Sequence, residues 1–511
     1  MTKKGIVYLI GAGPGDPGLF TLKGKKFLAR SEVIVYDYLV NPELLEFARE
    51  GAEIIYVGKK RGHKEIPQKE INRLITKKAL EGKTVARLKG GDPFIFGRGG
   101  EEAVELAKHG IPFDVIPGVS SPTGVTAYAG IPLTHRDYSS SFAVVTGHED
   151  PKKLKTSHPW EALAKIGTLV FLMGVEKLEQ NMKKLIEMGK SPKTPAAIIT
   201  WGTLPNQSTL TGTIGTIVSL SKEKKISSPS IIAVGDVVNL RKNINWFESK
   251  PLFGKTVLVT RARPQSRIFA EFLEEEGGQV IEFPTIDVVP IRTWNRIDKA
   301  VEKLGHYNWL IFTSVNGVNF FFQRFRRKKR DVRELKGIRI AAIGEQTENE
   351  INKMGIKVDL IPEEFRAEGL IKLFERIDIK GSRILIPRAK IARRILPMKL
   401  RKMGARVDVL PVYETKMPGK LKIDKVRKLL LNGDIDVITF TSSSTVKNFF
   451  SMIGRDKKII SRSTIACIGP ITAETIRGFG IEPEIISGTY TVQGLTREIA
   501  SYFTGEQQSK N

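Results

Sequence analysis

Short runs of apolar residues that end in glycine or polar residues recur along the chain, and their pattern predicts its main elements. One run, Ile6 to Ile10, leads into a glycine-rich segment, and another, in SEVIVYD, ends at Asp37. In the second half, such runs alternate with segments of amphipathic helical spacing, which is typical of parallel sheets with helices on both faces. We therefore predict an α/β protein.

A polar stretch around Pro251 separates the two halves, and the sequence beyond it repeats itself. The run LVTR ending at Arg261 matches LIPR ending at Arg388. The segment around Phe312 matches the one around Phe440, and AEGLIKLF matches VQGLTREI. The matched segments lie 127, 128 and 125 residues apart, so one unit has been duplicated. We expect two doubly wound lobes that bind ligands where strand ends face a crevice.

Length, cysteine content and hydropathy narrow the class of protein. The 511 residues suffice for about three or four domains. The single cysteine, Cys467, excludes a disulfide framework, and its apolar context predicts a buried structural thiol. No run approaches the ~20 apolar residues of a membrane span, and the N-terminal residues lack the architecture of a signal peptide. We therefore expect a cytoplasmic protein.

The chain is strongly basic, with 82 Lys and Arg against 55 Asp and Glu and a formal net charge of +27. This charge is typical either of a generally basic surface or of a protein that attracts a polyanion, such as nucleic acid or a polycarboxylate. The densest cluster, Arg324 to Arg333, is predicted to be a solvated basic face. Because no nucleic-acid-reading module accompanies it, we expect no nucleic-acid partner, and the absence of a Cys or His cluster predicts no metal site.

The segment Val85 to Glu102, VARLKGGDPFIFGRGGEE, is predicted to be a ligand-binding loop behind a short strand. Gly90 and Gly91 lack a Cβ, so the backbone there can take positive φ and approach a bound molecule closely. Asp92 adds a carboxylate, and Pro93 stiffens the turn that presents it.

A second glycine-rich segment, GAGPGDPG from Gly11 to Gly18, follows the first apolar run. It is superficially similar to the dinucleotide-binding fingerprint. However, Pro14 stands where that fingerprint needs a free residue, and the third glycine is misplaced. An NAD-dependent oxidoreductase is the alternative that this segment leaves open.

These two segments resemble the tetrapyrrole methylase family, and GGDPFIFGRGGEE resembles the signature of its uroporphyrinogen-III C-methyltransferases. The segments YDYLV, VGKKRGH and GIPLTHRDY match the same family in the same order. The resemblance implies that residues 1–246 form the two-lobed tetrapyrrole methylase fold. It also implies that two methyl groups pass from S-adenosylmethionine to uroporphyrinogen III, giving precorrin-2 and S-adenosylhomocysteine. A homodimer formed through this half is implied as well.

By matching motifs, the resemblance assigns cofactor contacts to Pro14, Gly90, Gly91, Asp92, Ile95, Ser120, Ser121, Met173 and Gly202. The family usually has Thr-Ala where this chain has Ser120 and Ser121. Ser120 therefore keeps the hydroxyl, whereas Ser121 makes its position more polar. Packing in the core is the alternative for Met173, because FLM closes an apolar run.

The resemblance assigns Asp37 as the proton acceptor and Lys59 of VGKK as the proton donor. Asp37 ends an apolar run, where a carboxylate reaches the crevice of an α/β fold. The alternatives are a helix cap for Asp37 and a solvated surface charge for Lys59. His135, Arg136 and Asp137 are consecutive, so their side chains diverge, and we predict instead that Arg136 contacts a substrate carboxylate.

The second half resembles uroporphyrinogen-III synthase in the repeated FTS, in PVYET from Pro411 to Thr415 and in GPITAE from Gly469 to Glu474. The resemblance implies that residues 252–511 close hydroxymethylbilane into uroporphyrinogen III while inverting its last ring. It places one lobe at about 254–287 plus 414–503 and the other at about 289–412.

Arginines and hydroxyls at the predicted strand ends of this half suit the carboxylates of a tetrapyrrole substrate. These residues are Arg261, Thr313, Ser314, Arg388, Thr441, Ser442 and Ser443. Helix capping is the alternative for the Ser and Thr residues. The resemblance makes Tyr413 the candidate acid, with packing as the alternative, and makes Thr472 a carboxylate contact.

Together, these patterns predict a bifunctional enzyme that makes uroporphyrinogen III and then methylates it. Two alternatives stay open: a methylase whose second half only binds ligands, and an RNA-associated methylase. Some relatives carry a dehydrogenase and ferrochelatase domain ahead of the glycine-rich segment. The short stretch before Gly11 predicts that this domain is absent, so that precorrin-2 is released for other enzymes.

Overall fold

The computed structural model describes residues 4–58, 66–147, 158–261, 265–364, 367–417 and 419–508. The chain divides into two compact units. The first holds Met1–Lys255, Leu273–Gln279 and Phe503–Asn511, and the second holds Thr256–Phe272 and Val280–Tyr502. The main crossing, between residues 255 and 256, lies a few residues beyond the polar stretch that predicts the boundary.

The first sheet is parallel throughout and has the strand order β3-β2-β4-β1-β5. Its strands are β1 (Val7–Gly11), β2 (Val33–Tyr36), β3 (Glu53–Tyr56), β4 (Val85–Lys89) and β5 (Phe113–Ile116). Helices α1 (Leu22–Leu28), α2 (Gln68–Leu80) and α3 (Gly99–Lys108) lie between strands, and α4 (Ser121–Tyr128) follows β5.

The strand order of this sheet reverses between the neighbouring strands β1 and β4. The chain leaves β1 toward β2 and β3 on one side, and it leaves β4 toward β5 on the other. In open α/β sheets, ligands bind outside the carboxyl ends of the strands at such a switch point. Both glycine-rich segments, which follow β1 and β4, begin there.

The second sheet is mixed and has the order β6-β7-β10-β8-β9, with only the β6–β7 pair parallel. Its strands are β6 (Phe142–Thr146), β7 (Thr168–Leu172), β8 (Pro195–Thr200), β9 (Ser208–Thr213) and β10 (Ser230–Val234). Helices α5 (Trp160–Lys165), α6 (Leu178–Glu187), α7 (Ile217–Glu223) and α8 (Arg241–Ile244) accompany it. Every residue of β7 is buried, which explains its continuous apolar run.

The third sheet, in the second half, has the order β12-β11-β18-β19-β20. Its strands are β11 (Thr256–Val259), β12 (Gln279–Glu282), β18 (Val437–Phe440), β19 (Thr464–Cys467) and β20 (Ile485–Ile486). The four from β11 to β20 in this order pair in parallel. Because its strands come from both ends of this half, the chain leaves the lobe and later returns to it.

The fourth sheet has the order β13-β17-β16-β14-β15. Its strands are β13 (Asp287–Pro290), β14 (Trp309–Phe312), β15 (Arg339–Ala342), β16 (Arg383–Ala389) and β17 (Arg406–Lys416). The sheet is parallel except at its edge, where β13 runs antiparallel to β17. Because β17 continues to Lys416, residues 414–416 pair with β13 in this sheet, beyond the crossover point expected from the sequence.

Ten helices alternate with the strands of the second half as far as the structure describes them. They are α9 (Gln265–Glu275), α10 (Asn295–Glu302), α11 (Val315–Arg327), α12 (Glu345–Asn352), α13 (Ala367–Phe374), α14 (Ile395–Lys402), α15 (Lys420–Asn432), α16 (Ser443–Ile453), α17 (Pro470–Arg477) and α18 (Val492–Gln508). Within the described ranges, no helix is both long and apolar enough to cross a membrane.

Candidate functional site

Two backbone hydrogen bonds join the glycine-rich loops that follow β1 and β4. The Gly91 N–H donates to the Gly13 carbonyl at 2.8 Å, and the Gly13 N–H donates to the Gly91 carbonyl at 3.2 Å. Both residues have positive φ, +79° for Gly13 and +67° for Gly91. A Cβ at Gly91 would meet its nearest neighbour, the Ser121 nitrogen, only at 3.7 Å, so conformation and not space requires glycine there.

Gly90 is glycine for a different reason. The sequence allows positive φ at both Gly90 and Gly91, and only Gly91 adopts it. A Cβ at Gly90 would lie 2.8 Å from the Leu39 Cβ, in the loop after β2. The loops after β2 and β4 therefore pack closely, and this packing depends on a contact distant in sequence.

Asp92 ties the loop after β4 to the loop after β5. Its Oδ1 accepts the Phe94 N–H at 2.8 Å, and its Oδ2 accepts the Gly118 N–H at 3.0 Å. The side chain is buried. Because backbone donors hold both oxygens, Asp92 fixes the geometry of the loop in addition to the cofactor contact predicted for it.

Several predicted cofactor residues gather around α4. Ser120 precedes the helix, Ser121 begins it, and a Cβ at Gly91 would point toward both, at 3.9 Å from the Ser120 Cα. Pro14 packs against Gly124, where a Cβ would lie 2.8 Å from the Pro14 Cγ. The first turns of α4 therefore bring together residues from three separate motifs.

Ile95 and Met173 are exposed, each on a loop that contains left-handed backbone. Met173 has φ of +54° and is 55% exposed, so the alternative that it packs in the core is wrong. Phe96 and Arg98 have positive φ in the loop that carries Ile95. Strained non-glycine backbone tends to cluster at functional sites, so these loops are candidates for contact with a ligand.

Gly202 lies against α4 in the turn after β8. A Cβ there would be 2.2 Å from Cγ1 and 2.6 Å from Cγ2 of the buried Val125. The close approach of this turn to the helix explains the glycine, and the local sequence contains no signal of it.

We expect Gly202→Ala to destabilise the protein by about 1–3 kcal/mol, because overpacking forces a buried side chain or the backbone to move. The measurement is the free energy of unfolding in denaturant for Gly202→Ala, Val125→Ala and the double variant. Val125→Ala makes room for the new methyl group. The double variant should therefore lose less free energy of unfolding than the two single variants lose in sum. Strictly additive losses would contradict the contact.

Asp37 immediately follows β2, and its side chain is 28% exposed. Its Oδ2 accepts a hydrogen bond from Arg87 Nη2 at 3.3 Å. The helix-cap alternative is wrong, because the side chain that caps the next helical turn, Pro42–Phe47, is Asn41. Lys59, the predicted proton donor, lies outside the described residues.

A buried cluster of charges, which the sequence alone does not reveal, adjoins Asp37. Arg87 and Lys89 on β4 both donate to Oε1 of Glu102 on α3, at 3.1 and 3.0 Å. Desolvation by burial, and secondarily the charge of Arg87, lowers the pKa of Lys89. The available signal was two basic residues at alternate positions, one face of a strand, in an otherwise buried apolar run.

Arg136 lies on a tight turn before β6 and is exposed. The turn is closed by His135 and Ser139, whose backbone groups exchange two hydrogen bonds of 2.9 Å. This position leaves the guanidinium accessible to a ligand, and the predicted carboxylate contact of Arg136 stays a prediction.

In the second half, Ser314 follows β14 and lies beside Tyr413 of β17, and Arg388 lies near the end of β16, which pairs with β17. The Ser314 Oγ lies 3.1 Å from the Tyr413 hydroxyl and accepts the Gly317 N–H, so it caps α11. Tyr413 is 8% exposed and stacks on Phe320, which agrees with the packing alternative, and its role as an acid stays a prediction.

Arg388 and Arg261 occupy corresponding positions in the two copies. Arg388 is buried, and its Nη2 donates to the Arg393 carbonyl at 2.7 Å. Burial lowers the pKa of both guanidiniums. A buried guanidinium forms strong charge-assisted hydrogen bonds with a carboxylate, so Arg388 is a candidate for holding an anionic substrate, and Arg261 is the candidate at the matching position of the other copy. Thr313 immediately precedes the capping Ser314.

The third sheet has the same loop geometry at the end of β18. Ser442 has φ −170° and ψ 159°, close to the φ −171° and ψ 153° of Ser314, and its hydroxyl caps α16. Thr441 precedes it, and the Ser443 Oγ accepts from Thr475 at 2.7 Å. Thr472 is buried. Capping is therefore present at both serines, and ligand contact at these loops stays a prediction.

Two family models match this chain, in the order of the two sets of motifs. Residues 6–218 match the Tetrapyrrole (Corrin/Porphyrin) Methylases, and residues 268–497 match Uroporphyrinogen-III synthase HemD.

Individual proteins are similar over one or both halves. The porphyrin biosynthesis protein HemD of Ruminiclostridium josui is 40% identical over 479 residues, which are 93% of this chain and 94% of that protein. The uroporphyrinogen-III C-methyltransferase of Bacillus subtilis (strain 168) is 43% identical over 362 residues, 70% of this chain and 74% of that protein. Among solved structures, the uroporphyrin-III C-methyl transferase of Thermus thermophilus complexed with S-adenyl homocysteine is 37% identical. That match covers 46% of this chain and 100% of the other, with a TM-score of 0.40.

Proposed function

The chain belongs to the tetrapyrrole methylases in its first half and to the uroporphyrinogen-III synthases in its second, and from this premise we propose a bifunctional enzyme. The second half closes hydroxymethylbilane to uroporphyrinogen III, and the first half methylates that product twice to precorrin-2. The main support for the methylase assignment is that hydrogen bonds join the two glycine loops, which follow β1 and β4 at the switch point of the first sheet.

The residues around α4 fit S-adenosylmethionine as the methyl donor. Bound there, it supplies an electrophilic methyl group on a sulfonium sulfur. The loops meet through Gly13, Gly91 and Gly118, so backbone rather than side chains forms the contact between them. The residues that would hold the cofactor are Pro14, Gly90, Gly91, Asp92, Ile95, Ser120, Ser121, Met173 and Gly202.

Asp37 is proposed to accept the proton that the pyrrole system loses after methyl transfer. Methylation at a ring carbon needs alignment of the two reactants, for which proximity supplies several kcal/mol, and then removal of a proton. Asp37 lies at the strand end next to the loop that packs on Gly90, and part of its carboxyl group is accessible. Lys59 as proton donor and Arg136 as carboxylate contact complete the proposal.

The second half is proposed to bind its substrate through carboxylates. Loss of the terminal hydroxyl from hydroxymethylbilane leaves a cation that must fold back on itself, so the protein must grip the side chains and exclude water. Arg388, which is buried near the end of β16, and Arg261, at the corresponding position of the other copy, are the residues proposed to hold these carboxylates. The proposed carboxylate-binding hydroxyls are Thr313, Ser314, Thr441, Ser442, Ser443 and Thr472, and Tyr413 is the proposed acid.

The test is to supply the purified protein with hydroxymethylbilane and S-adenosylmethionine and to record the product spectrum. We expect precorrin-2, and uroporphyrinogen III when the methyl donor is omitted. If added uroporphyrinogen III is methylated but hydroxymethylbilane is not converted, the second half is a binding module. Failure of both reactions, together with RNA that copurifies, would favour the RNA-associated methylase.

The net positive charge is consistent with two polycarboxylate ligands. A homodimer formed through the methylase half and a cytoplasmic location belong to the same proposal. Sedimentation of the purified protein checks the first.

A further inference from the structure

We propose that Arg87 is a positioning residue for methyl transfer, which holds the Asp37 carboxylate in its reactive orientation and is itself held by Glu102. The inference rests on the proposed role of Asp37 as proton acceptor. It deepens that role by identifying what fixes the base in place.

Arg87 is locked by hydrogen bonds along its whole guanidinium. Its Nε donates to Glu102 Oε1 at 3.1 Å, and its Nη1 donates to the carbonyls of Val35 at 3.4 Å and Leu88 at 3.2 Å. The remaining nitrogen, Nη2, donates to Asp37 Oδ2 at 3.3 Å. Arg87 is 3% exposed. Because the guanidinium is planar and is held at Nε and Nη1, its Nη2 can donate in only one direction, toward Asp37.

Glu102 anchors this arrangement from α3. Its side chain is fully buried, and Oε1 accepts from Arg87, from Lys89 at 3.0 Å and from Gln68 at 2.9 Å. Its Oε2 has no hydrogen-bond partner among the described residues. A buried oxygen without a hydrogen bond is desolvated without compensation, so Glu102 Oε2 adds to the free-energy cost of the cluster.

Stability does not explain such a cluster. Removing charges from water costs several kcal/mol per ion, and well-packed apolar residues in their place are often neutral or stabilising. The strand β4 is buried at all five positions, so apolar side chains would fit its pattern. The charges are therefore better explained by what they hold, and the partner at the exposed end of the cluster is Asp37.

The contact at Asp37 has the geometry needed for a base. One oxygen, Oδ2, is held by Arg87, whereas Oδ1 has no hydrogen-bond partner in the part of the chain that the structure describes. The side chain is partly exposed, at 28%. One anchored oxygen and one open oxygen orient the carboxylate while leaving an acceptor for a proton.

The test is a double-mutant cycle in the full-length protein, with Arg87→Met, Asp37→Asn and both together. The readouts are the single-turnover rate of methyl transfer to uroporphyrinogen III and the affinity for S-adenosylhomocysteine. We expect Arg87→Met alone to slow methyl transfer by about 10- to 100-fold, as a misplaced group does, with cofactor affinity unchanged. In the Asp37→Asn background, the same substitution should cost no more than about twofold, because the group that it positions is gone.

Lys78→Met is the matched control, because Lys78 of α2 is a cation whose ion pair, with Glu53 at 2.7 Å, does not involve Glu102, Arg87 or Asp37. Its small effect should multiply with that of Asp37→Asn, as independent changes do. Glu102→Gln keeps the shape of the anchor and weakens its hold on Arg87. It replaces Arg87→Met in the cycle if that variant does not fold, and it should show the same absence of added loss.

The outcomes separate the two hypotheses. If Asp37→Asn methylates at the normal rate, the proposed role of Asp37 is wrong. If Asp37→Asn slows methyl transfer but Arg87→Met, or Glu102→Gln in its place, does not, Asp37 remains the base and the positioning role is wrong. The positioning role is also wrong if Arg87→Met, or Glu102→Gln in its place, slows methyl transfer as much in the Asp37→Asn background as it does alone.

Discussion

Asp37→Ala is expected to reduce methyl transfer by about 100-fold or more while leaving cofactor affinity nearly unchanged. The residue stands at the end of β2, partly exposed and held at one oxygen by Arg87. The cofactor residues gather instead around α4 and the glycine loops. Removal of the carboxylate therefore deletes the proposed base without touching the surfaces proposed to bind the methyl donor.

The measurement combines the turnover of uroporphyrinogen III with calorimetric binding of S-adenosylhomocysteine. Conversion of hydroxymethylbilane to uroporphyrinogen III by the same preparation gives an internal control, because the second half should be unaffected. Asp114→Ala is the matched variant: it removes an exposed carboxylate from β5 of the same sheet. Normal turnover in Asp37→Ala, or an equal loss in Asp114→Ala, would rule out the assignment.

The sequence predicts the site best where residues of a suitable chemical type lie at the ends of predicted strands. Asp37 and Gly91 both follow strands, β2 and β4, and parallel strands bring such ends to one edge of the sheet. By contrast, Gly90 and Gly202 are glycine because Leu39 and Val125 lie against them. Those neighbours are distant in sequence, so no local pattern reveals the reason.

The buried ion cluster shows a second limit. Arg87 and Lys89 read locally as polar interruptions of a strand, and only the packing of α3 against the sheet places Glu102 between them. The duplication in the second half predicts two similar lobes, but the antiparallel direction of the short edge strand β13 depends on its pairing with β17. Periodicity fixes which face of a strand is buried and does not fix the direction of its neighbour.

At Ser314 and Ser442, helix capping and substrate binding, the two interpretations of a hydroxyl at a strand end, apply to the same loop. Both hydroxyls cap a helix, and the adjoining strand ends carry the residues proposed to bind substrate. A hydroxyl that accepts a backbone N–H can still donate its proton, so capping leaves capacity for an acceptor such as a carboxylate. The sequence could not separate these roles because one position can serve both.

Gly91→Val is expected to weaken binding of S-adenosylhomocysteine by at least about tenfold, which corresponds to about 1.4 kcal/mol. Gly91 has φ +67°, and its N–H and carbonyl both bond to Gly13. A β-branched residue strongly disfavours this conformation. Valine should therefore separate the loops after β1 and β4, whose residues are proposed to hold the cofactor.

Gly189→Val separates this effect from general strain. Gly189 also has positive φ, +91°, and a Cβ there would meet nothing within 4 Å. It lies in the turn after α6, associated with the second sheet. The two variants should lose similar stability, because each forces a β-branched residue into left-handed backbone, but only Gly91→Val should lose cofactor affinity. Calorimetry on both proteins, after circular dichroism has verified folding, makes the comparison. Normal affinity in a folded Gly91→Val protein would show that the joined glycine loops are not the cofactor site, because the backbone geometry proposed to form that site cannot persist with valine at this position.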